Sequence, residues 1–88
     1  MKMIIAIVRD NDTDNVSHGL ILANFRVTTV ASTGGFLRKG KSTLLVGVED
    51  EQLESALQVI RKSVGPVTDP SESRAVIFVV KVESFDHF

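Results

Sequence analysis

The stretch Gly35-Phe36-Leu37-Arg38-Lys39-Gly40-Lys41-Ser42 matches the phosphate-loop pattern G-x-x-x-x-G-K-[ST] at every position. In that pattern the glycines let backbone N–H groups cradle a polyphosphate while the Lys reaches its outer phosphates. The chemistry requires a strand before the loop and a helix opening at the Lys-Ser pair. Here the following residues, Ser42 to Val48, are rich in β-formers and carry no 3.6-residue period. The loop is therefore expected to join two strands, with no helix N-terminus facing a phosphate, and a nucleoside-triphosphatase is excluded. What remains is a glycine-rich, basic connection that can bind a phosphorylated ligand by a different geometry.

Other reactive groups are sparse. The chain has no cysteine, which excludes thiolate zinc sites, disulfides and cysteine nucleophiles together. Its two histidines are scattered, and no paired carboxylates flank an apolar pocket, so neither a triad nor an acid–base pair is in view. His18 falls on the polar side of a helix. Asp10, Asp12 and Asp14 lack the spacing of a calcium loop, and helix capping accounts for them. Arg26 beside Phe25 reads by itself as a solvated strand residue, and Arg38-Lys39-Gly40-Lys41 as a solvated loop tip. Phe36 and Leu37 at the start of that loop need a partner surface or a ligand. A non-catalytic protein is expected, with no cofactor and no metal.

These residues sit in one small domain. Eighty-eight residues, 43% of them hydrophobic and 24% charged, describe a soluble globular chain spanning 1–88. A net charge of −1 gives no global field to recruit nucleic acid. The apolar run Met3 to Val8 is too short for a membrane span and has no small-residue cleavage site after it. The expectation is a cytoplasmic protein.

Met3 to Val8 reads as a buried first strand. Asp12 is placed as the cap of a first helix, with Val16, Leu20 and Ala23 on its apolar side. Phe25, Val27, Thr29 and Ala31 alternate with Arg26, Thr28, Val30 and Ser32 as a second strand, which Gly34-Gly35 ends. Thr43 to Val48 is the third. Asp50 is placed as the cap of a second helix, with Leu53, Ala56, Leu57, Ile60 and Val64 at helical spacing and Gly65-Pro66 as its stop. Arg74 to Glu83 holds the last strand.

The order strand, helix, strand, strand, helix, strand is the ferredoxin-like βαββαβ unit, an α+β fold with both helices on one face of a four-stranded antiparallel sheet. Its free face should alternate with polar residues. The first and last strands are apolar on both sides, and wetting such a face would forfeit several kcal/mol at roughly 25 cal/mol per Å². A homo-oligomer that packs sheet faces together is expected.

Residues along nearly the whole chain carry a resemblance. Met1 to Val8, Asn24-Phe25-Arg26-Val27-Thr28, Thr33-Gly34-Gly35-Phe36-Leu37-Arg38, Gly47-Val48 and Val82 to Phe88 resemble the PII-like cyclic-di-AMP receptors of Gram-positive bacteria. The Thr-Gly-Gly-Phe-Leu-Arg block is the most specific part. The resemblance implies a ferredoxin-like homotrimer that binds the nucleotide in clefts between subunits and relays its presence through loops to a downstream protein. It implies as ligand-binding residues Asn24, Arg26, Thr28, Gly35, Phe36, Leu37, Lys41, Gly47 and His87. Arg26 has the charge and fork to meet a phosphate or a purine edge. Asn24 and Thr28 supply neutral hydrogen-bond groups, and Gly35 permits close approach of backbone to ligand. Phe36 and Leu37 form a wall for a base, and Gly47 leaves room in the cleft.

The chain departs from those receptors at three places. Lys41 stands where they carry Asn, His87 where they carry Gln, and Gly65 to Ser73 is a short turn where they have a long loop beside the ligand. A diverged relative that binds another nucleotide, or only a protein, is the alternative these departures raise.

Overall fold

The computed structural model of the chain describes residues 1–30, 40–65 and 75–83. Gly35, Phe36, Leu37, His87 and most of the short connection after Gly65 lie outside the described residues. Strand β1 (Lys2–Arg9) runs straight into helix α1 (Asp10–Leu22), followed by β2 (Arg26–Val30) and β3 (Lys41–Val48). A 3₁₀ turn (Asp50–Gln52) leads into α2 (Leu53–Ser63), and β4 (Ala75–Lys81) closes the set. The sheet order is β2-β3-β1-β4 with every neighbouring pair antiparallel. This is the ferredoxin-like arrangement that the periodicity predicts.

Alternation decides which side of the sheet is dry. Ile4, Ala6 and Val8 of β1 and Leu44, Val46 and Val48 of β3 are buried, and they point to the face that α1 and α2 cover. Val16 and Leu20 from α1 and Ala56 and Ile60 from α2 complete this core, as their helical spacing predicts, with Phe25 at its edge. Ala23, predicted on the apolar side of α1, is instead its exposed C-cap. The helices meet closely at Gly19, where an added Cβ would lie 2.9 Å from Ser63 Oγ and 3.3 Å from Val59 Cγ1. A methyl group there would have to displace the Ser63 hydroxyl, which donates to the Val59 carbonyl at 2.7 Å, and would crowd Val59.

Both predicted helix starts are corrected. Helix α1 begins at Asp10, with Arg9 as an N-cap that makes no side-chain capping bond. Asp12 is inside the helix, only 5% exposed, because it has a stronger partner than a helix N–H. Its Oδ2 accepts from Arg9 Nε at 2.8 Å, and its Oδ1 accepts from the Gly65 N–H at 3.0 Å. Arg9 Nη2 in turn donates to the Gly65 carbonyl at 2.7 Å. Arg9 and Asp12 thus hold the residue where the chain leaves α2 against the corner between β1 and α1. The second helical segment is capped by Glu49, one residue before Asp50. Glu49 and Gln52 form a capping box, in which each side chain accepts from the other's backbone N–H.

Strand β3 starts at Lys41, two residues before the predicted Thr43. Lys41 and Ser42 are therefore strand residues, and no helix opens at the phosphate-loop pattern. Ser42 Oγ donates to Asp10 Oδ1 at 2.6 Å, and the Asp10 N–H donates to the Gly40 carbonyl at 2.8 Å. The hydroxyl that would reach a metal in a nucleotide hydrolase is tied to the start of α1. Gly40 has φ of +83°, a conformation that explains the glycine at that position. No helix among the described residues is long and apolar enough to cross a membrane.

Candidate functional site

The sheet face opposite the helices is ordered by register into cross-strand rows. Arg26, Gly47, Met3 and Val80 form one row; Thr28, Leu45, Ile5 and Phe78 the next; Val30, Thr43, Ile7 and Val76 the third. Polarity falls off along each of the first two rows. The β2 position carries the guanidinium or hydroxyl, and the positions on β1 and β4 are aliphatic or aromatic. Val76, Phe78 and Val80 are exposed large apolar residues, Phe78 at 53%. This face has a polar column at the β2 edge and a dry expanse beside it.

A cleft of about 620 Å³ opens where the first two rows reach the edge. That volume is within the range of small-ligand sites. Met1, Met3, Phe25 and Leu45 give it apolar surface, while Asn24, Arg26, Thr28 and Gln52 give it polar groups. Gly47 lies on its floor directly opposite Arg26, and an added Cβ would meet only the end of the flexible Met1 side chain at 3.1 Å. The glycine keeps the space beside the guanidinium open. Among the described residues Arg26 has no carboxylate partner, so its five donors face solvent and the cleft.

Four of the expected ligand residues, Asn24, Arg26, Thr28 and Gly47, are thereby brought to one place. Lys41 is not among them. It sits at the opposite end of β3 beside Arg9, six positions from Gly47, about 20 Å at roughly 3.3 Å per residue. Gly35, Phe36, Leu37 and His87 lie outside the described residues. The cleft also contains Met3, Leu45 and Gln52, which the sequence reading passed over. For Met3 and Leu45 the signal was available, since they share strand parity with Arg26 once the register is known. Among the described residues no cluster of His, Cys, Asp and Glu side chains could hold a metal ion.

Asn24 has a second role that its residue type alone does not reveal. It has φ of +69° and ends α1 in a Schellman motif. The Asn24 N–H donates to the Ile21 carbonyl at 3.0 Å, and the Phe25 N–H donates to the Leu20 carbonyl at 2.9 Å. Buried Phe25 and Leu20 supply the apolar contact usual for this motif. The turn aims β2, and with it Arg26 and Thr28, along the cleft. Two substitutions separate the two roles. Asn24→Ala should cost about 1 kcal/mol in denaturant unfolding, because Ala resists the left-handed conformation. Asn24→Gly should retain full stability, so any ligand affinity lost in that variant reports the missing amide.

Comparison with known proteins agrees with this geometry. A functionally unknown protein from Pediococcus pentosaceus ATCC 25745, seen in a crystal structure, is similar at 33% sequence identity with a TM-score of 0.77. The match covers 99% of this chain and 96% of that one. A family model described as cyclic-di-AMP receptor matches residues 1–69, a stretch that includes every cleft residue except Val82 and ends inside the short connection after α2. With that match over most of its length and the PII-like βαββαβ fold, the chain belongs to the cyclic-di-AMP receptor family.

Proposed function

We propose that this chain, as one domain over 1–88, is a non-catalytic cytoplasmic receptor that binds cyclic-di-AMP in clefts between the subunits of a homotrimer. Its loops then present the bound state to a protein partner. The observation that carries this reading is the polar column at the edge of a dry sheet face. Packing the β1 and β4 columns of several copies together removes the exposed Val76, Phe78 and Val80 from water. It leaves Arg26 and Thr28 at the rim of the interface, where a ligand can touch more than one subunit. Three-fold assembly is proposed on the likeness to the PII-like receptors. Cyclic-di-AMP offers two phosphates to Arg26 and two purines to the apolar surface of Met3, Leu45 and Phe25. Phe36, Leu37, Gly35 and His87 are proposed to complete the pocket, and Lys41 to reach it from a neighbouring subunit.

The connection between Gly65 and Ser73 is short in sequence and carries Pro66 and Pro70, residues whose rings restrict φ. Weaker binding than in long-loop receptors is therefore expected. Titration calorimetry should show cyclic-di-AMP binding to the wild type and a loss of about 10- to 100-fold on Arg26→Ala, the effect of removing a charged hydrogen-bond donor. The distance of Lys41 from the cleft favours a second reading, a relative that binds another nucleotide or only a protein. Absence of heat with any adenine nucleotide would support that second reading over the first.

A further inference from the structure

Gln52 lines the same cleft as Asn24, Arg26 and Gly47, and neither its neighbours in sequence nor the family likeness marks it as a ligand residue. It is the last residue of the 3₁₀ turn that follows β3, at the end of the sheet where Gly47 faces Arg26. Its Oε1 accepts from the Glu49 N–H at 3.2 Å, while the Glu49 side chain accepts from the Gln52 N–H. This reciprocal pair sets the orientation of the amide. A backbone N–H only donates, so the oxygen must face Glu49 and the Nε2 amino group must turn the other way. Two N–H donors remain on Nε2 and one lone pair on Oε1, next to each other.

On the base edge that carries N7, a donor beside an acceptor matches one purine and not the other. Adenine presents N7, an acceptor, next to its N6 amino group, a donor, and a Gln amide can bond both at once. Guanine presents N7 and O6 on the same edge, both acceptors, so the amide oxygen would face another oxygen. We infer that Gln52 meets the N7 edge of the base in the cleft and thereby selects adenine over guanine, an inference that rests on the cleft binding a cyclic dinucleotide. The capping box holds the side chain in place before the ligand arrives, so less side-chain freedom is lost on binding.

The test is titration calorimetry with cyclic-di-AMP and cyclic-di-GMP on the wild type, Gln52→Glu, Gln52→Ala and Arg26→Ala, each checked by its thermal midpoint. Gln52→Glu keeps an acceptor for the Glu49 N–H, since Glu also serves in capping boxes, but has no N–H to offer N7. Its added charge repels the phosphates of both dinucleotides alike, so the ratio of the two affinities isolates the base contact. The wild type should prefer cyclic-di-AMP, and both Gln52 variants should reduce that preference tenfold or more. Arg26→Ala should weaken both ligands and leave the ratio in place. An unchanged ratio in both Gln52 variants, with the wild type still selecting adenine, would overturn the role of Gln52 and leave the receptor standing. A wild type that binds neither dinucleotide would remove both.

Discussion

Replacing Asp12 by Ala should lower the stability of the folded chain by about 2–4 kcal/mol, the loss of two hydrogen bonds to a buried carboxylate. The carboxylate is almost fully buried and serves two donors, Arg9 on β1 and the Gly65 N–H beyond α2. Deleting it removes one counter-charge from the largely buried Arg9 side chain and takes the acceptor from the Gly65 N–H, so two hydrogen bonds to a buried charge are lost together. Against a total of about 5–15 kcal/mol for a small domain, the loss would move the unfolding midpoint far enough to read directly in urea. The double variant Arg9→Ala/Asp12→Ala should lose less than the sum of the two single losses, because each single change already removes the shared bond. A change below 1 kcal/mol for Asp12→Ala would show that the network does not hold the end of α2 in solution.

Phe78→Glu should reduce the sedimenting mass to that of one chain and abolish nucleotide binding with it. Phe78 lies in the row Thr28, Leu45, Ile5, Phe78 and is largely exposed in the single chain, so the substitution should leave the fold of the subunit intact. In a face-packed assembly the same position is buried among Ile, Leu and Val side chains. A carboxylate buried on that apolar face would carry the penalty of an isolated charge. Far-ultraviolet circular dichroism should be unchanged while ultracentrifugation reports the smaller species. Retention of the assembly would place the subunit contact elsewhere, and retention of binding by a monomer would mean that the cleft needs no second copy.

The element order was legible because each segment has a clear period: two in β2, 3.6 in α2, and continuous apolar runs in β1 and β4. Helix starts were less legible. Asp12 and Asp50 are the right residue types for caps, but residue type does not reveal competition from tertiary partners. Arg9 claims Asp12 from three residues away and Gly65 from fifty-three, and Glu49 wins the cap position because Gln52 can answer it three residues later. For the site, Arg26, Thr28, Asn24 and Gly47 were identifiable from the family likeness, and the structure brings all four to one cleft. Lys41 lay within the phosphate-loop pattern and looked close to them along the chain. Strand geometry puts it at the other end of the sheet. Gln52 escaped notice because an isolated Gln after a strand has no distinguishing spacing; only the meeting of the 3₁₀ turn with the β2–β3 end gives it meaning.

The register that places Arg26 and Thr28 in an edge column also separates the tasks of the molecule. Core residues point one way, an apolar expanse on β1 and β4 points the other, and Arg26 and Thr28 stand at the β2 edge of that outer face. A change at 26 or 28 should therefore alter what the cleft accepts without opening a cavity in the core. A slip of β2 by one residue would instead turn Val27 and Thr29 outward and lose both polar groups at once. In such a scaffold ligand preference can drift by single substitutions while fold and assembly stay fixed. Related chains with the same rows but different residues in that column should accordingly share the architecture and differ in the nucleotide they hold.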